Sequence, residues 1–295
     1  MLRLIYRTSL KTIPFMMKLF YIALFLLFMS TKTAAQNEIH VANIAKTEVN
    51  DLKKAKAYYK IAQQYSSELK YEEAHHYYLL AANEGLVAAY LEVGMDNFSG
   101  CGTAQNYAEA LKWVRKSAEV GEANGQFQLG EFYFYGNCGL EKDATKAVEW
   151  FLLAAKQSYS DAITALAYCY EQGIGVQENK EEAYNWYLLL AKEGELISQY
   201  EVGKYLLERN MPPNDTKEGI KWLKKSAKQG YQESQCLLAK QYADGKLVSK
   251  DIKKTIMWYR KAAVSGWNAA RIALEELGIE PPKSEEQHLQ LYHEK

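Results

Sequence analysis

The sequence predicts an all-α solenoid: about six helix-turn-helix repeats followed by a C-terminal capping helix. Three observations carry that prediction. Five of the six tryptophans, Trp113, Trp150, Trp186, Trp222 and Trp258, stand 36 or 37 residues apart. Two further columns keep the same period: Gly85, Gly121, Ser158, Gly194, Gly230 and Gly266, and three residues before each, Ala82, Ala118, Ala155, Ala191, Ala227 and Ala263. The composition agrees, because 23 Tyr against 5 Pro in 295 residues suits packed helices better than sheets. A fixed period of this length marks stacked supersecondary units.

Taken in chain order, residues 1–35 read as a secretory signal. Lys18 precedes an apolar run, Leu19–Met29, and the small pair Ala34–Ala35 stands before Gln36. That run is about half the roughly 20 residues that span a bilayer. The expectation is an exported chain, periplasmic or secreted, with an uncleaved N-terminal membrane anchor as the alternative. Translation starts at Met1, Met16 or Met17. No transmembrane span is expected in the mature chain. Residues 36–50 form a polar lead-in, 51–278 the repeat array, and 279–295 a polar tail expected to be mobile near Pro281–Pro282.

Charge narrows the partner class. The whole chain balances 36 basic against 36 acidic residues. Arg3, Arg7, Lys11, Lys18 and Lys32 fall in 1–35, which holds no acid, so the remainder has 31 basic and 36 acidic residues, a net charge of −5. An acidic mature chain lacks the basic footprint that nucleic acid requires.

Within each repeat the second helix follows a capping residue: Asn106, Asp143, Asn179, Asp215 or Asp251. Glu109, Glu182 and Glu218 stand three residues later, the capping-box arrangement. The Gly column supplies the left-handed residue that stops the helix. Small residue, Trp and Ala recur on one helical face, so the Trp column should face a neighbouring helix and Trp186 should be largely buried. The first helix of each repeat centres on an apolar–small pair such as Val93–Gly94 or Val202–Gly203, which permits close helix approach. It ends at Gly100, Gly136, Gly173 or Gly245, whereas the fifth repeat has Arg209 there, followed by "NMPPND". "WNAARIALEELG" (Trp267–Gly278) reads as the capping helix that a solenoid end needs.

The segment "YEQGIGVQENKEEAYNWYLLLAKEG" (Tyr170–Gly194) carries Tyr-x-x-Gly-x-Gly-Val, a polar cap, Ala-x-x-Trp-Tyr and a closing Gly. With "ALKWVRKSAEVG", "GIKWLKKSAKQG" and "TIMWYRKAAVSG" it resembles the Sel1-like repeat family, a relative of tetratricopeptide arrays. The resemblance covers about 51–278. It implies a right-handed superhelix whose first-type helices line a concave groove, and a non-catalytic scaffold that binds a protein or peptide of the cell envelope. Departures are His76–Tyr77 in the first unit, Ser158 for Gly, and the missing Gly-x-Gly turn of the fifth unit.

The chemistry of sites is sparse. The five histidines are His40, His75, His76, His288 and His293, so residues 77–287 have no histidine for a triad or a His-rich metal site. No metal or cofactor is expected. Cysteine-rich relatives in the resembled family have been proposed to bind or hydrolyse β-lactams, which makes a periplasmic β-lactam- or peptidoglycan-processing enzyme the alternative. Its only foothold is the Ser-x-x-Lys of Ser67–Lys70, without the companion elements. Cys101 and Cys138 lie in corresponding loops and form a candidate disulfide. Cys169 and Cys236 fall inside helices as small side chains.

A surface remains. Positions flanking the apolar–small pair of each first-type helix form a stripe with Glu92, Gln128, Glu131, Phe132, Tyr135, Tyr168, Glu201 and Tyr205. Aromatics beside carboxylates suit an extended partner segment. Alternatively, these aromatics complete packing between helices of a Tyr-rich array. The partner's identity and the oligomeric state have no signature in the sequence.

Overall fold

The computed structural model describes residues 50–209 and 214–282. The signal-like segment and most of the lead-in and tail lie outside these residues. All described secondary structure is helical. Helix α1 covers 50–67. It is followed by α2 (Tyr71–Asn83), α3 (Ala88–Ser99), α4 (Tyr107–Glu119), α5 (Ala123–Tyr135), α6 (Ala144–Ala155) and α7 (Ser160–Gln172). The rest are α8 (Lys180–Glu193), α9 (Leu196–Arg209), α10 (Asn214–Lys228), α11 (Gln232–Asp244), α12 (Ile252–Val264) and α13 (Asn268–Glu276). Odd-numbered helices are the first-type or A helices, even-numbered ones the B helices, and α13 is the cap. Two compact units divide at Asp143/Ala144, so α1–α5 belong to one and α6–α13 to the other. No described helix is long and apolar enough to cross a membrane.

Each B helix stops the same way. The amides of Gly85, Gly121, Ser158, Gly194, Gly230 and Gly266 donate to the carbonyls of the Ala column three residues back. The next amide reaches back five residues, as in Leu86 to Ala81 (3.0 Å) and Trp267 to Ala262 (3.1 Å). This is the Schellman arrangement, which satisfies carbonyls the helix end would leave bare. It requires a left-handed residue, and Ser158 adopts that conformation too, at φ 63°. A Cβ on any Gly of this column would meet nothing within 4 Å. The demand there is purely conformational, which is why Ser fits the space but not the backbone preference.

B helices begin as expected in three repeats, with a difference in the second half of the bargain. Asn106 accepts from the Glu109 amide, Asn179 from the Glu181 and Glu182 amides, and Asp251 from the Lys254 amide. The reciprocal capping-box bond is absent. The cap's own amide donates instead to an A-helix carbonyl: Asn106 to Asn97, Asp143 to Tyr133 and Asn179 to Tyr170, all at 2.8 Å, and Asp251 to Tyr242 at 3.0 Å. Relieved of that task, the Glu109 and Glu218 carboxylates pair with Lys112 and Lys221 one turn on. Asp215 is not a cap. It lies in the first turn of α10, nearly buried, and holds the Arg209 guanidinium at 2.8 Å. The Arg that replaces the usual Gly has recruited it.

Within each unit the most extensive packing runs between helices adjacent in sequence. Gly94 and Gly203 mark close approaches: a Cβ there would lie 2.7 Å from Val114 and 2.7 Å from Leu223 of the following B helix. In the turn glycines, Gly102 and Gly175 sit against the preceding B-helix start. An added Cβ would collide with the Tyr71 and Ala144 carbonyl oxygens.

The Trp column is buried at Trp113, Trp222 and Trp258, as expected, but Trp150 and Trp186 are only half-buried. The reason lies in the next residue. Where Val114 or Leu223 follows, both members of the doublet are buried. Where two aromatics adjoin, only one is fully buried: Phe151, Tyr187 and Trp258 take the seam, leaving Trp150, Trp186 and Tyr259 at its margin. Rings about 100° apart on a helix cannot both enter one seam.

A polar column also recurs inside. The Gln126, Gln199 and Gln235 side-chain amides donate to the carbonyls of Ala118, Ala191 and Ala227, at 3.5, 3.2 and 3.0 Å. All three glutamines are buried, and they tie each A helix to the end of the B helix before it. At the C-terminal end, Ile279 packs on the α12–α13 core and Arg271 donates to the Pro282 carbonyl at 2.7 Å. The chain near Pro281–Pro282 is therefore pinned, against expectation.

Candidate functional site

In the first unit, the A-helix stripe is built on α3 and α5. Glu92 accepts from the Tyr59 hydroxyl at 3.5 Å, and Asp96, one turn on, meets His75 Nδ1 at 2.9 Å. Burial, and then the charge of Asp96, raise the Glu92 carboxyl above the ordinary range. Burial, with Glu92 next in order, pushes the Tyr78 phenol up to about 12. Gln128 and Glu131 are half-buried. Phe132 corrects the sequence reading: it is fully buried, its ring 5.1 Å from Phe98 on the neighbouring A helix. Tyr135 is the opposite case, 63% exposed at the end of α5.

In the second unit, the stripe falls on α7 and α9. Tyr168 is 47% exposed. Beside it, the Lys204 ammonium is shared by Glu201 (2.9 Å) and Glu171 (3.2 Å), half-buried side chains from two A helices. Burial pulls the Lys204 ammonium down, but the hydrogen bond and charge of Glu201, with Glu171, outweigh it and leave the group raised. Burial likewise raises the Glu201 carboxyl, against the opposing pull of Lys204. The triad closes over Tyr187, whose phenol burial pushes upward. Tyr205 is half-buried and stacked on Tyr184, with ring centres 4.8 Å apart. The crevice among these groups measures about 20 Å³. That space suits one water and no larger ligand. Glu201 and Tyr205 therefore serve the joint between repeats, and Tyr168 is left presented to solvent.

The enzymatic foothold does not assemble. Ser67 donates its hydroxyl to the Gln64 carbonyl at 2.7 Å, while Lys70 is held by Glu68 at 2.7 Å. No cluster of metal-binding side chains occurs among the described residues. All four cysteines are free thiols, so the Cys101–Cys138 pairing is not formed. The extra loop residue explains this. Cys101 directly follows its helix-ending Gly100, whereas Cys138 is the second residue after Gly136 and takes a left-handed φ of 56°. The two are out of register. Burial pushes the Cys138, Cys169 and Cys236 thiols up to about 11, away from reactive thiolates.

Sequence reasoning missed the glutamine column and the Glu171–Lys204–Glu201 triad. The glutamines carried a signal, since Gln199 and Gln235 stand one period apart and Gln126 two. The triad carried none, because it joins residues 33 apart that share no motif.

Comparison with known proteins bears on all of this. The profile described as Sel1 repeat matches residues 55–86, 87–122, 123–159, 160–195, 196–231 and 232–266. Among curated proteins, the chain is 34% identical over 67 residues to the ERAD-associated E3 ubiquitin-protein ligase component HRD3A of Arabidopsis thaliana. That match covers 23% of this chain and 10% of the relative. It is 30% identical over 73 residues to chitin synthase regulatory factor 1 of Schizosaccharomyces pombe, covering 25% and 16%. The chain thus spans only a small part of the curated relatives it matches. Among solved structures, a protective antigen present in uropathogenic Escherichia coli strains, displaying an SLR fold, superposes with a TM-score of 0.70 at 28% identity. The superposition covers 81% of this chain and 53% of the other. A Sel1 repeat protein from Oxalobacter formigenes follows at TM-score 0.59 and 27% identity, covering 71% and 87%. Six matched units, whose B helices all end in the same stop, lead to one conclusion: the chain belongs to the Sel1 repeat family.

Proposed function

We propose that this chain is a protein- or peptide-binding scaffold that works outside the cytoplasm and catalyses nothing itself. Proteins built on Sel1 repeats are generally interaction scaffolds, and the two curated relatives are named as a ligase component and a regulatory factor. The observation that carries the reading is the contrast along the A helices. Phe132, Glu201 and Tyr205 are consumed by packing, while Tyr168 and Tyr135, the latter edge-on to the adjacent Phe134 ring at 5.0 Å, remain exposed. Large amphipathic side chains of this kind anchor partners at low entropic cost. Export is supported by the order Lys18, Leu19–Met29, Ala34–Ala35.

Crosslinking in the cell envelope of the source organism tests the scaffold reading. Tyr135→Ala and Tyr168→Ala are expected to lose a specific crosslinked partner that the parent chain captures. Recovery of no specific partner, or capture unaffected by both changes, overturns it. Fractionation tests export: a chain shortened by the signal is expected outside the cytoplasm, and a full-length cytoplasmic chain contradicts the proposal.

A further inference from the structure

A second surface, built mainly on the B helix α10, carries a more specific assignment. Between α10 and the loop leading into α12 lies an open cleft of about 1280 Å³, lined by seven lysines and two acids. Both acids are spent: Glu218 on Lys221 at 3.3 Å and Asp251 on Lys254 at 2.6 Å. Lys217, Lys224, Lys228 and Lys250 make no ion pair or hydrogen bond among the described residues. The wall between the charges is apolar, formed by Ile220, Tyr242, Leu247 and Val248.

The lysines of α10 are ordered. Lys217, Lys221, Lys224 and Lys228 follow each other at four, three and four residues, which places them on one helical face. The row rises in steps of about 6, 4.5 and 6 Å, about 16 Å in all. In an extended chain, side chains on one face recur about every 6.6 Å. Like charges at this spacing weaken a helix, and a lysine in the first turn opposes the helix dipole. The repeat does not demand them. At the same four positions none of the other five B helices has more than two basic residues, and all five belong to the same fold.

We propose that this cleft binds an extended acidic segment of a partner protein, its carboxylates on alternate residues facing the lysine row and its intervening side chains against the apolar wall. The assignment rests on the scaffold reading above and names the chemistry of the partner. The apolar wall favours a peptide over a sugar-phosphate strand, and the cleft's concavity favours it over a flat lipid surface.

The test is fluorescence anisotropy on the full chain, with a labelled nine-residue peptide alternating Glu and Val, and its Gln-for-Glu counterpart. The Glu peptide is expected to bind and to weaken with added salt. In Lys224→Glu/Lys228→Glu, affinity should fall about tenfold or more, and Lys224→Gln/Lys228→Gln should lie between. Circular dichroism melts confirm that both variants fold. Equal binding of the Gln peptide, unchanged affinity in the Glu variant, or tighter binding of oligothymidylate or phosphatidylglycerol vesicles than of the Glu peptide overturns the assignment. If the Glu peptide fails to bind while the crosslinked partner is still captured, the cleft assignment falls and the scaffold reading stands.

Discussion

At the scale of single residues, Ser158 shows how a repeat tolerates an imperfect letter. It holds a left-handed backbone that costs a non-glycine residue about 1–2 kcal/mol, at an exposed position. Ser158→Gly is therefore expected to raise stability by about 0.5–1 kcal/mol, net of the looser unfolded chain, and a lowered urea midpoint would contradict this. The tryptophans divide similarly. Trp222→Ala should cost about 3–5 kcal/mol, and Trp186→Ala clearly less, since part of its ring is already wet. Equal losses in paired melts would refute the seam argument. Glu92 offers a pH test. Its carboxyl is raised by burial and by Asp96, so the fold holds that proton more tightly than the unfolded chain. The stabilising contribution exists below the unfolded pKa and is lost as pH rises through the folded one, leaving a cost at neutral pH. Glu92→Gln should gain up to about 0.5 kcal/mol at pH 7, and the gain should vanish below the ordinary carboxylate range. A gain that persists in acid would point elsewhere.

At the scale of helices and their joints, much was written in the sequence because it is local. Stops, three of the caps and the capping helix α13 follow from residues within a few positions of each other, and local bonds do not depend on the rest of the chain. Contacts made at a distance were not legible. Phe132 looked like a groove residue until Phe98, one repeat earlier, covered it. Asp215 read as a cap until Arg209 claimed its carboxylate. Trp186 read as buried because helical phase ignores the bulk of Tyr187 beside it. The lysines of α10 were visible all along, but only the fold brings Lys250 and Lys254 across from them. The joint glycines make the next prediction. Gly175→Ala should destabilise by more than about 2 kcal/mol, because its Cβ would strike the Ala144 carbonyl. Gly139→Ala, with open space but the same left-handed φ, should cost less. A reversed order in thermal melts would count against the close approach.

At the scale of the whole chain, the most extensive packing inside each unit runs between helices adjacent in sequence, so each unit's stability is close to a sum of repeats and their joints. Amides of α13, whose main packing is on α12 alone, should exchange with solvent faster than those of α8, which packs between α7 and α9. Uniform protection would argue for one indivisible block. The bond from each cap amide to an A-helix carbonyl has a consequence for how such an array changes over time. It holds at 2.8 Å across both the nine-residue span Asn97–Asn106 and the ten-residue span Tyr133–Asp143. Each of the four loops with this bond is thus fastened at both ends, and an inserted residue is absorbed in the loop without altering the helices' phase. The loops are where this architecture can accept new sequence, natural or grafted, while the helices keep count.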